Sequence, residues 1–396
     1  ISIMGMLAGC AAVETAVTPI PPTTQPTSLP VPTDTPPPPT ETAVPQPTAT
    51  TAPMETAVSQ GELSTILIPA PSLAGNLLED PAERQIAIYL PPSYNQTDKR
   101  YPVIYHLAGF DEQLNDSYTL RSLMDAMITD GSVQEMIVVV TSGRNRLGGS
   151  FYVNSPVTGN WEDLVVKDLV QYVDENYRTI NDPAARGISG FSMGGFGALN
   201  LAMRHPEVYG AVYALSPGLF APDGLANSQM FATPRVGDSF LKWQAELAAM
   251  TPEEAHATFL KWSDSSYGDL GFLAAYGAAF ASNTDKNAPY IDFPYAESGA
   301  QVDEAVWQRW ESGFGGITGE VQQYQDNLLS LNGIIIDYGE QDSYFWIPAG
   351  ADYFSQQLEA ANIPHELLTF EGGHGNLVGR AREVMLPFFS NTLISE

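Results

Sequence analysis

The strongest chemical signal in the sequence is a serine set among glycines, because residues 190–195 read Gly-Phe-Ser-Met-Gly-Gly. These residues follow a short strand-like run and precede a helical pattern over residues 196–203, the setting of a nucleophile elbow. Such a turn strains the serine and leaves no room for side chains at Gly190 or Gly194. We therefore predict that Ser192 presents its hydroxyl near a helix N-terminus, where backbone N–H groups favour negative charge.

A serine hydroxyl is a weak nucleophile at neutral pH and needs an imidazole to take its proton and a carboxylate to orient that imidazole. His374 is the predicted base, because it lies in a glycine-rich loop directly after a strand-like run. Asp342 is the preferred acid, with Asp337 and Glu340 as alternatives. Asp337 could still lie inside its strand, where an unpaired carboxylate would be costly.

The remaining histidines are predicted to be structural, since none follows a core strand in a glycine-rich loop beyond the serine: His106, His205, His256 and His365. The oxyanion formed on attack by Ser192 needs two preorganised donors. The backbone N–H of Met193, directly after the nucleophile, is the first predicted donor. The second is expected from the loop after an early strand, as the N–H of Phe110.

Alternating strand and helix patterns must position these residues. Apolar or alternating runs predict strands over residues 84–91, 101–107, 135–141, 184–190, 331–337 and 365–370. Helical spacing predicts helices over residues 118–129, 160–176 and 377–389. The order of strand, helix and strand predicts an α/β fold, with a mostly parallel central sheet covered by helices on both faces.

Between about residues 217 and 327 this alternation ends, and short helical patterns predict a helical insertion, the lid, over the C-terminal edge of the sheet. Thr251 begins a capping box, and residues 302–311 have helical spacing. The lid is rich in aromatic residues, which could bind an aromatic or hydrophobic acyl group or could form the lid's own core. Tyr152, Ser155 and Trp161, in a loop at the same edge, are candidate pocket residues.

The first residues form a short apolar run that ends in Leu7-Ala8-Gly9-Cys10, which is typical of the end of a secretory signal. The tetrapeptide resembles the lipobox of bacterial lipoproteins, so Cys10 is predicted to carry a lipid and residues 1–9 to be a signal peptide. No Lys or Arg precedes Arg84, and we expect the signal to be truncated at its start. The alternative is a chance apolar run with one buried cysteine.

Residues 10–60 are predicted to form a linker, since residues 18–53 are mostly Pro and Thr. Such a composition favours extended polyproline II conformations and cannot form a packed core. The linker would hold the catalytic domain, residues 61–396, away from the outer face of a bacterial membrane. The predicted location is therefore extracytoplasmic, at a bacterial cell surface or in a periplasm.

Charge and cysteine content exclude other classes of function. The 396 residues include 17 Lys and Arg against 46 Asp and Glu, and the net charge of −29 would repel nucleic acid. A single cysteine allows no disulfide within the chain, and the histidines are too dispersed to indicate a metal site. We expect no metal and no cofactor, and the oligomeric state stays open.

From about Ser72 to the C-terminus the chain resembles the esterase D family of α/β-hydrolases. The motifs that carry the resemblance are residues 88–92, 101–103, the elbow at 190–195, the Gly-x-x-Asp at 339–342, and Gly373-His374. The family includes S-formylglutathione hydrolases, feruloyl and acetylxylan esterases of carbohydrate esterase family 1, enterochelin esterases and mycolyltransferases. Two departures are Ala108-Gly109, where the family usually has His-Gly, and a lid of about a hundred residues.

The resemblance implies a serine carboxylic-ester hydrolase that acts through an acyl-enzyme on small-molecule or polysaccharide-linked esters, including feruloyl-type esters. A second hypothesis passes the acyl group to a sugar or lipid hydroxyl. A third is a surface-anchored binding protein on a hydrolase scaffold. The intact set of Ser192, Asp342 and His374 argues against the third hypothesis, because a binding module needs none of them.

Overall fold

The computed structural model describes residues 60–265, 268–297 and 300–396, and these contain the catalytic domain. The predicted signal segment, Cys10 and the linker up to residue 59 lie outside the described residues. Within the described part of the chain, no helix has both the length and the apolar character needed to cross a membrane.

The described part of the chain contains an eight-stranded central sheet. Its strands are β1 (Glu62–Pro69), β2 (Glu83–Leu90), β3 (Val103–Leu107), β4 (Ile137–Thr141), β5 (Arg186–Phe191), β6 (Ala211–Leu215), β7 (Gly333–Gly339) and β8 (Glu366–Phe370). Their spatial order is β1-β2-β4-β3-β5-β6-β7-β8. Only the β1–β2 and β2–β4 pairs are antiparallel, so the prediction of a mostly parallel sheet is confirmed.

The central strands are buried and mostly apolar, as expected of strands that helices cover on both faces of the sheet. In β3, Val103 and Tyr105 pack into the core on one face, whereas Ile104 packs into the core on the other. This alternation follows from the two-residue period of a strand.

The helices outside the lid are α1 (Asp116–Thr129), α2 (the consecutive segments Trp161–Asp163, Leu164–Leu169 and Val170–Asn176), α3 (Met193–Arg204), α11 (Trp346–Ala360) and α12 (Leu377–Arg380, Ala381–Met385 and Leu386–Thr392). Residues of α1 and α12 pack into the core on one face of the sheet. Residues of α2, α3 and α11 pack into the core on the opposite face, together with the lid. The predicted helices 118–129, 160–176 and 377–389 are thereby confirmed, within a few residues at their ends.

The lid between β6 and β7 is helical in its described residues. Its helices are α4 (Gly224–Asn227), α5 (Pro234–Ala248), α6 (Pro252–Ser263), α7 (Gly268–Phe280), α8 (Glu304–Glu311), α9 (Gly316–Glu320) and α10 (Gln325–Ser330). Thr251 caps α6 in a reciprocal capping box with Glu254, as predicted. The lid also has its own aromatic core: Trp243 stacks on Trp262 at 4.0 Å, and Trp310 is fully buried.

Candidate active site

Ser192 lies at the sharp turn between β5 and α3, with φ 55° and ψ −115°. A Cβ atom on Gly190 would lie 2.1 Å from the carbonyl oxygen of Gly194, and one on Gly194 would lie 2.0 Å from that of Leu107. Because these contacts are to backbone, they cannot be relieved by a side-chain rotation. The prediction that both positions exclude a side chain is confirmed, and the strained turn holds Ser192 at the sheet edge.

A hydrogen-bonded chain joins Ser192 to a histidine and an aspartate. Nε2 of His374 lies 3.0 Å from Oγ of Ser192, and Nδ1 of His374 lies 2.8 Å from Oδ2 of Asp342. Oδ1 of Asp342 accepts a second bond, 2.8 Å long, from the backbone N–H of Tyr344. A carboxylate in this position keeps the proton on Nδ1 and leaves Nε2 free to accept the serine proton. The Asp342 side chain is fully buried, and that of His374 is 20% exposed.

Two loops bring these side chains together at the C-terminal edge of the sheet. Asp342 follows β7, and His374 follows the neighbouring parallel strand β8. The imidazole packs between the rings of Phe191, at 4.9 Å, and Tyr344, at 4.8 Å. These contacts on both sides restrict the rotation of the ring, so the two hydrogen bonds of His374 are held in line.

The alternative acids have other partners. Asp337 is fully buried inside β7, where it accepts hydrogen bonds from the Tyr213 hydroxyl at 2.6 Å and from Nε of Arg380 at 2.7 Å. The carboxylate of Glu340 accepts a hydrogen bond from the Thr369 hydroxyl. The structure therefore places Asp342, and neither alternative, against His374.

The other histidines are bound away from Ser192. His106 is buried on β3, where Nδ1 lies 2.9 Å from Oγ of Ser189 and Nε2 lies 3.1 Å from Oδ2 of Asp116. This second Ser–His–Asp arrangement lies in the interior and ties α1 to two strands. The remaining three histidines bond to side chains or carbonyls elsewhere, namely His205 to Glu162 and Glu207, His256 to Tyr290, and His365 to Ser355 and Ile363.

Phe110, whose N–H is the second predicted oxyanion donor, lies in the loop after β3. The N–H of Ala108 donates to the carbonyl of Thr141, and the N–H of Asp111 donates to that of Gly148, so both ends of the loop are fixed. Between them, Phe110 lines the same cavity as Ser192 and Met193. Within the described residues, no protein acceptor takes up the N–H of Phe110 or of Met193, which leaves both for an oxygen of a bound ester.

The prediction that Tyr152 lines the substrate pocket is wrong. Phe151 and Tyr152 both have a φ of 55°, and this backbone turns the loop into the core. Tyr152 is fully buried, donates its hydroxyl to the carbonyl of Ala108 at 2.8 Å, and accepts the N–H of Gly143 at 2.8 Å. Burial raises the pKa of this hydroxyl. Tyr152 therefore supports the start of the oxyanion loop from behind.

Ser155 and Trp161 do not line the pocket either. The hydroxyl of Ser155 is buried and donates to the carbonyl of Ala278 at 2.6 Å, which joins this loop to α7. Trp161 is fully buried, and its Nε1–H donates to the carbonyl of Thr158. Both side chains face inward because their polar atoms bond to backbone within the loop and the lid.

The cavity at Ser192 has a volume of about 160 Å³. Its aromatic wall consists of Phe110, Phe191, Phe272, Phe314, Tyr344 and Trp346. Tyr344 and Trp346 lie two and four residues after the acid in sequence, a signal that could have identified them. Phe272 and Phe314 come from the lid, and no pattern in the sequence distinguished them from the aromatic residues of the lid core. Glu112 and Gln229 add polar side chains to the wall.

A second cavity of about 320 Å³ shares part of this wall, including Phe110, Phe272 and Tyr344. Its other walls combine apolar groups such as Leu147 with charged side chains from the loop after β4 and from the lid: Arg144, Arg146, Asp264 and Asp269. The site thus has a small aromatic compartment at the nucleophile and a larger compartment with these charged side chains, the polar compartment, beside it.

Metal-binding side chains are not grouped in this domain as far as it is described. Within residues 60–265, 268–297 and 300–396, no set of three or more His, Cys, Asp and Glu side chains is arranged to hold a metal ion.

Comparison with protein families matches residues 80–376 to the family described as "Putative esterase". An endo-1,4-beta-xylanase/feruloyl esterase of Xylanibacter ruminicola is 29% identical over 144 residues, 34% of this chain and 20% of that protein. An S-formylglutathione hydrolase of Arabidopsis thaliana is 31% identical over 175 residues, 40% of this chain and 60% of that protein. The matched regions thus span less than two thirds of these relatives.

Solved structures with the same fold include a ferulic acid esterase, with a TM-score of 0.56 and 19% identity, over 84% of this chain and 99% of that one. An S-formylglutathione hydrolase from Agrobacterium tumefaciens has a TM-score of 0.53 and 15% identity, over 86% of this chain and 98% of that one. At these identities the likeness concerns the fold, and it confirms the predicted α/β-hydrolase class.

Proposed function

The chain belongs to the esterase family, and on that premise we propose that it hydrolyses carboxylic esters through an acyl-enzyme on Ser192. The observation that carries the proposal is the hydrogen-bonded chain from Asp342 through His374 to Oγ of Ser192, at the wall of a cavity. Asp342 holds the tautomer that His374 needs to act as a base, and it stabilises the imidazolium that forms.

The proposed reaction has two steps. In the first, His374 takes the proton of Ser192 as Oγ attacks the ester carbonyl, and it then gives that proton to the departing alcohol oxygen. In the second, His374 takes a proton from water, the hydroxyl attacks the acyl-enzyme, and the acid leaves as the proton returns to Ser192. The N–H groups of Met193 and Phe110 stabilise the oxyanion in both steps.

We propose that the acyl group is a planar aromatic acid such as ferulate and that the alcohol is a sugar hydroxyl of a polysaccharide. Six aromatic side chains around the cavity of about 160 Å³ support the first part, because ring contacts add to the free energy of apolar burial. The polar compartment of about 320 Å³ beside it supports the second. The matched relative of Xylanibacter ruminicola named feruloyl esterase points to the same class.

An ester panel tests this substrate class. Methyl ferulate, methyl acetate and methyl butyrate vary the acyl group, and a feruloyl arabinose ester varies the alcohol. We expect kcat/KM for methyl ferulate to exceed that for methyl acetate by about tenfold or more, and the arabinose ester to exceed the methyl ester, because each compartment adds contacts. A preference for acetate would contradict the aromatic acyl group. Product analysis with added sugar acceptors separates hydrolysis from acyl transfer, since transfer yields a new ester.

We further propose that the enzyme acts outside the cytoplasm, tethered through a lipid on Cys10. The lipobox-like Leu7-Ala8-Gly9-Cys10 and the Pro- and Thr-rich linker after it support this location. In bacteria that express the protein from its own gene and are fed an alkyne analogue of palmitate, we expect label on the wild-type protein and none on Cys10→Ser, which should leave the membrane fraction. Equal labelling and fractionation of both would contradict the anchor.

A further inference from the structure

Glu112 lies in the wall of the cavity at Ser192 but outside the hydrogen-bonded chain of the proposed mechanism. Its half-buried carboxylate accepts the backbone N–H of Gly109 through Oε2 at 2.7 Å. Its own N–H bonds back to the carbonyl of Gly109 at 3.3 Å, and its carbonyl accepts the hydroxyl of Ser142 at 2.6 Å. Residues 109–112 therefore form a closed turn around Phe110, and the hydrogen bond of the Glu112 side chain is one of the contacts that hold this turn.

Gly109 and Glu112 fit each other sterically. A Cβ atom on Gly109 would lie 2.7 Å from Oε2 of Glu112 and 3.2 Å from Cδ1 of Phe191. Without that atom, the carboxylate can approach the backbone closely enough to accept its N–H. Ala108-Gly109 is also where the sequence departs from the His-Gly of the family that it resembles. In this chain the Glu112 carboxylate supports the turn by accepting the N–H of Gly109.

Apart from His374, the described residues of the cavity wall include no basic side chain that could pair with the charge of Glu112. Among the described residues that line the cavity, none is Lys or Arg. Burial raises the pKa of the Glu112 carboxyl and the nearby Asp116 acts in the same direction, whereas the Gly109 N–H, His106 and His374 act in the opposite one. An anionic acyl group that enters this small cavity would face the Glu112 carboxylate at short range, where like charges repel strongly.

We propose that Glu112 positions the N–H of Phe110 for the oxyanion by holding Gly109, and that its carboxylate restricts the site to acyl groups without negative charge. This inference rests on the proposed ester hydrolysis at Ser192. It makes Glu112 a positioning and specificity-determining residue, since it acts through the loop and through its charge rather than by bonding to the reacting atoms.

Two variants separate these roles. Glu112→Gln keeps an oxygen that can accept the Gly109 N–H but removes the charge, whereas Glu112→Ala removes both. The probes are p-nitrophenyl butyrate and a p-nitrophenyl ester of similar length whose acyl chain ends in a sulfonate, which stays ionised. Gln113→Ala, at the exposed neighbouring position, is the matched control.

For Glu112→Gln we expect kcat on the butyrate ester within about threefold of wild type, and the ratio of kcat/KM for the sulfonate ester over the butyrate ester to rise about tenfold. For Glu112→Ala we expect kcat on the butyrate ester to fall about tenfold or more with KM within about twofold, because a displaced oxyanion donor acts on the transition state. Gly109→Ala, which pushes the carboxylate away, should behave like Glu112→Ala. Gln113→Ala should match wild type.

Unchanged kcat in Glu112→Ala would overturn the positioning role, and an unchanged substrate ratio in Glu112→Gln would overturn the charge role. Melting temperatures show whether each variant is folded. If wild type cleaves neither ester, the proposed function itself fails. If wild type cleaves the butyrate ester and the variants do not differ from it, only the inference about Glu112 fails.

Discussion

Replacement of Ser192 by alanine is expected to lower kcat for p-nitrophenyl butyrate by about 10⁵- to 10⁶-fold, because the acyl-enzyme can no longer form. The substitution removes one oxygen from a half-buried position and should leave the fold unchanged. The measurement is the release of p-nitrophenol under saturating substrate, together with mass spectrometry after reaction with a fluorophosphonate. Wild type should gain one adduct on Ser192, and Ser192→Ala should gain none.

Ser189, three residues earlier on β5, offers a matched control. It also bonds to a histidine, with Oγ 2.9 Å from Nδ1 of His106, but it is fully buried away from the cavity. Ser189→Ala should lower the free energy of unfolding by about 1 kcal/mol while kcat stays within a few-fold of wild type. If turnover instead survived in Ser192→Ala and disappeared in Ser189→Ala, the reacting pair would be Ser189 and His106. That result would contradict our assignment.

Replacement of Asp342 by asparagine is expected to lower kcat by about 10⁴-fold with little loss of stability. The carboxylate accepts from the N–H of Tyr344 through Oδ1 and faces Nδ1 of His374 through Oδ2. An asparagine that keeps the first bond must direct its NH₂ group at His374. The imidazole then carries its proton on Nε2, where it cannot accept the proton of Ser192. Steady-state kinetics and urea denaturation of the variant measure both effects.

Asp337→Asn tests the alternative acid. Asp337 is buried against Arg380 and Tyr213, so loss of its charge leaves the guanidinium with the exposed carboxylate of Glu383 as its remaining ion-pair partner among the described residues. We expect the free energy of unfolding to fall by about 3 kcal/mol, whereas kcat of the folded protein stays within a few-fold of wild type. If Asp337→Asn instead loses turnover at unchanged stability and Asp342→Asn stays active, the assignment of the acid is reversed.

Local chemistry made much of the fold predictable. Strands β3 and β4 are mostly apolar because they are covered on both faces, and a pattern of that kind is visible without any tertiary information. The elbow was predictable for a steric reason. Gly190 faces the backbone of Gly194, and Gly194 faces the backbone of Leu107 on the neighbouring strand β3. By contrast, β1 and β6 are not among the strands that the sequence pattern predicts.

Pocket residues were less predictable, because a loop's path depends on what packs above it. Tyr152 and Ser155 lie in a loop at the correct edge of the sheet, but positive φ angles and bonds to Ala108 and Ala278 turn them inward. Phe272 and Phe314 reach the cavity only because the helices of the lid pack over Ser192. The sequence showed that the lid was aromatic and could not show which rings face the substrate.

The sequence by itself determined the nucleophile and its base, because glycines at an elbow and a histidine in a loop after a strand are local requirements of the chemistry. It restricted the acid to three carboxylates. Tertiary structure decided among them, since burial of Asp337 against Arg380 and the approach of Asp342 to His374 depend on how neighbouring strands and α12 pack. The walls of the cavity were likewise decided by packing between segments distant in sequence, which no local pattern records.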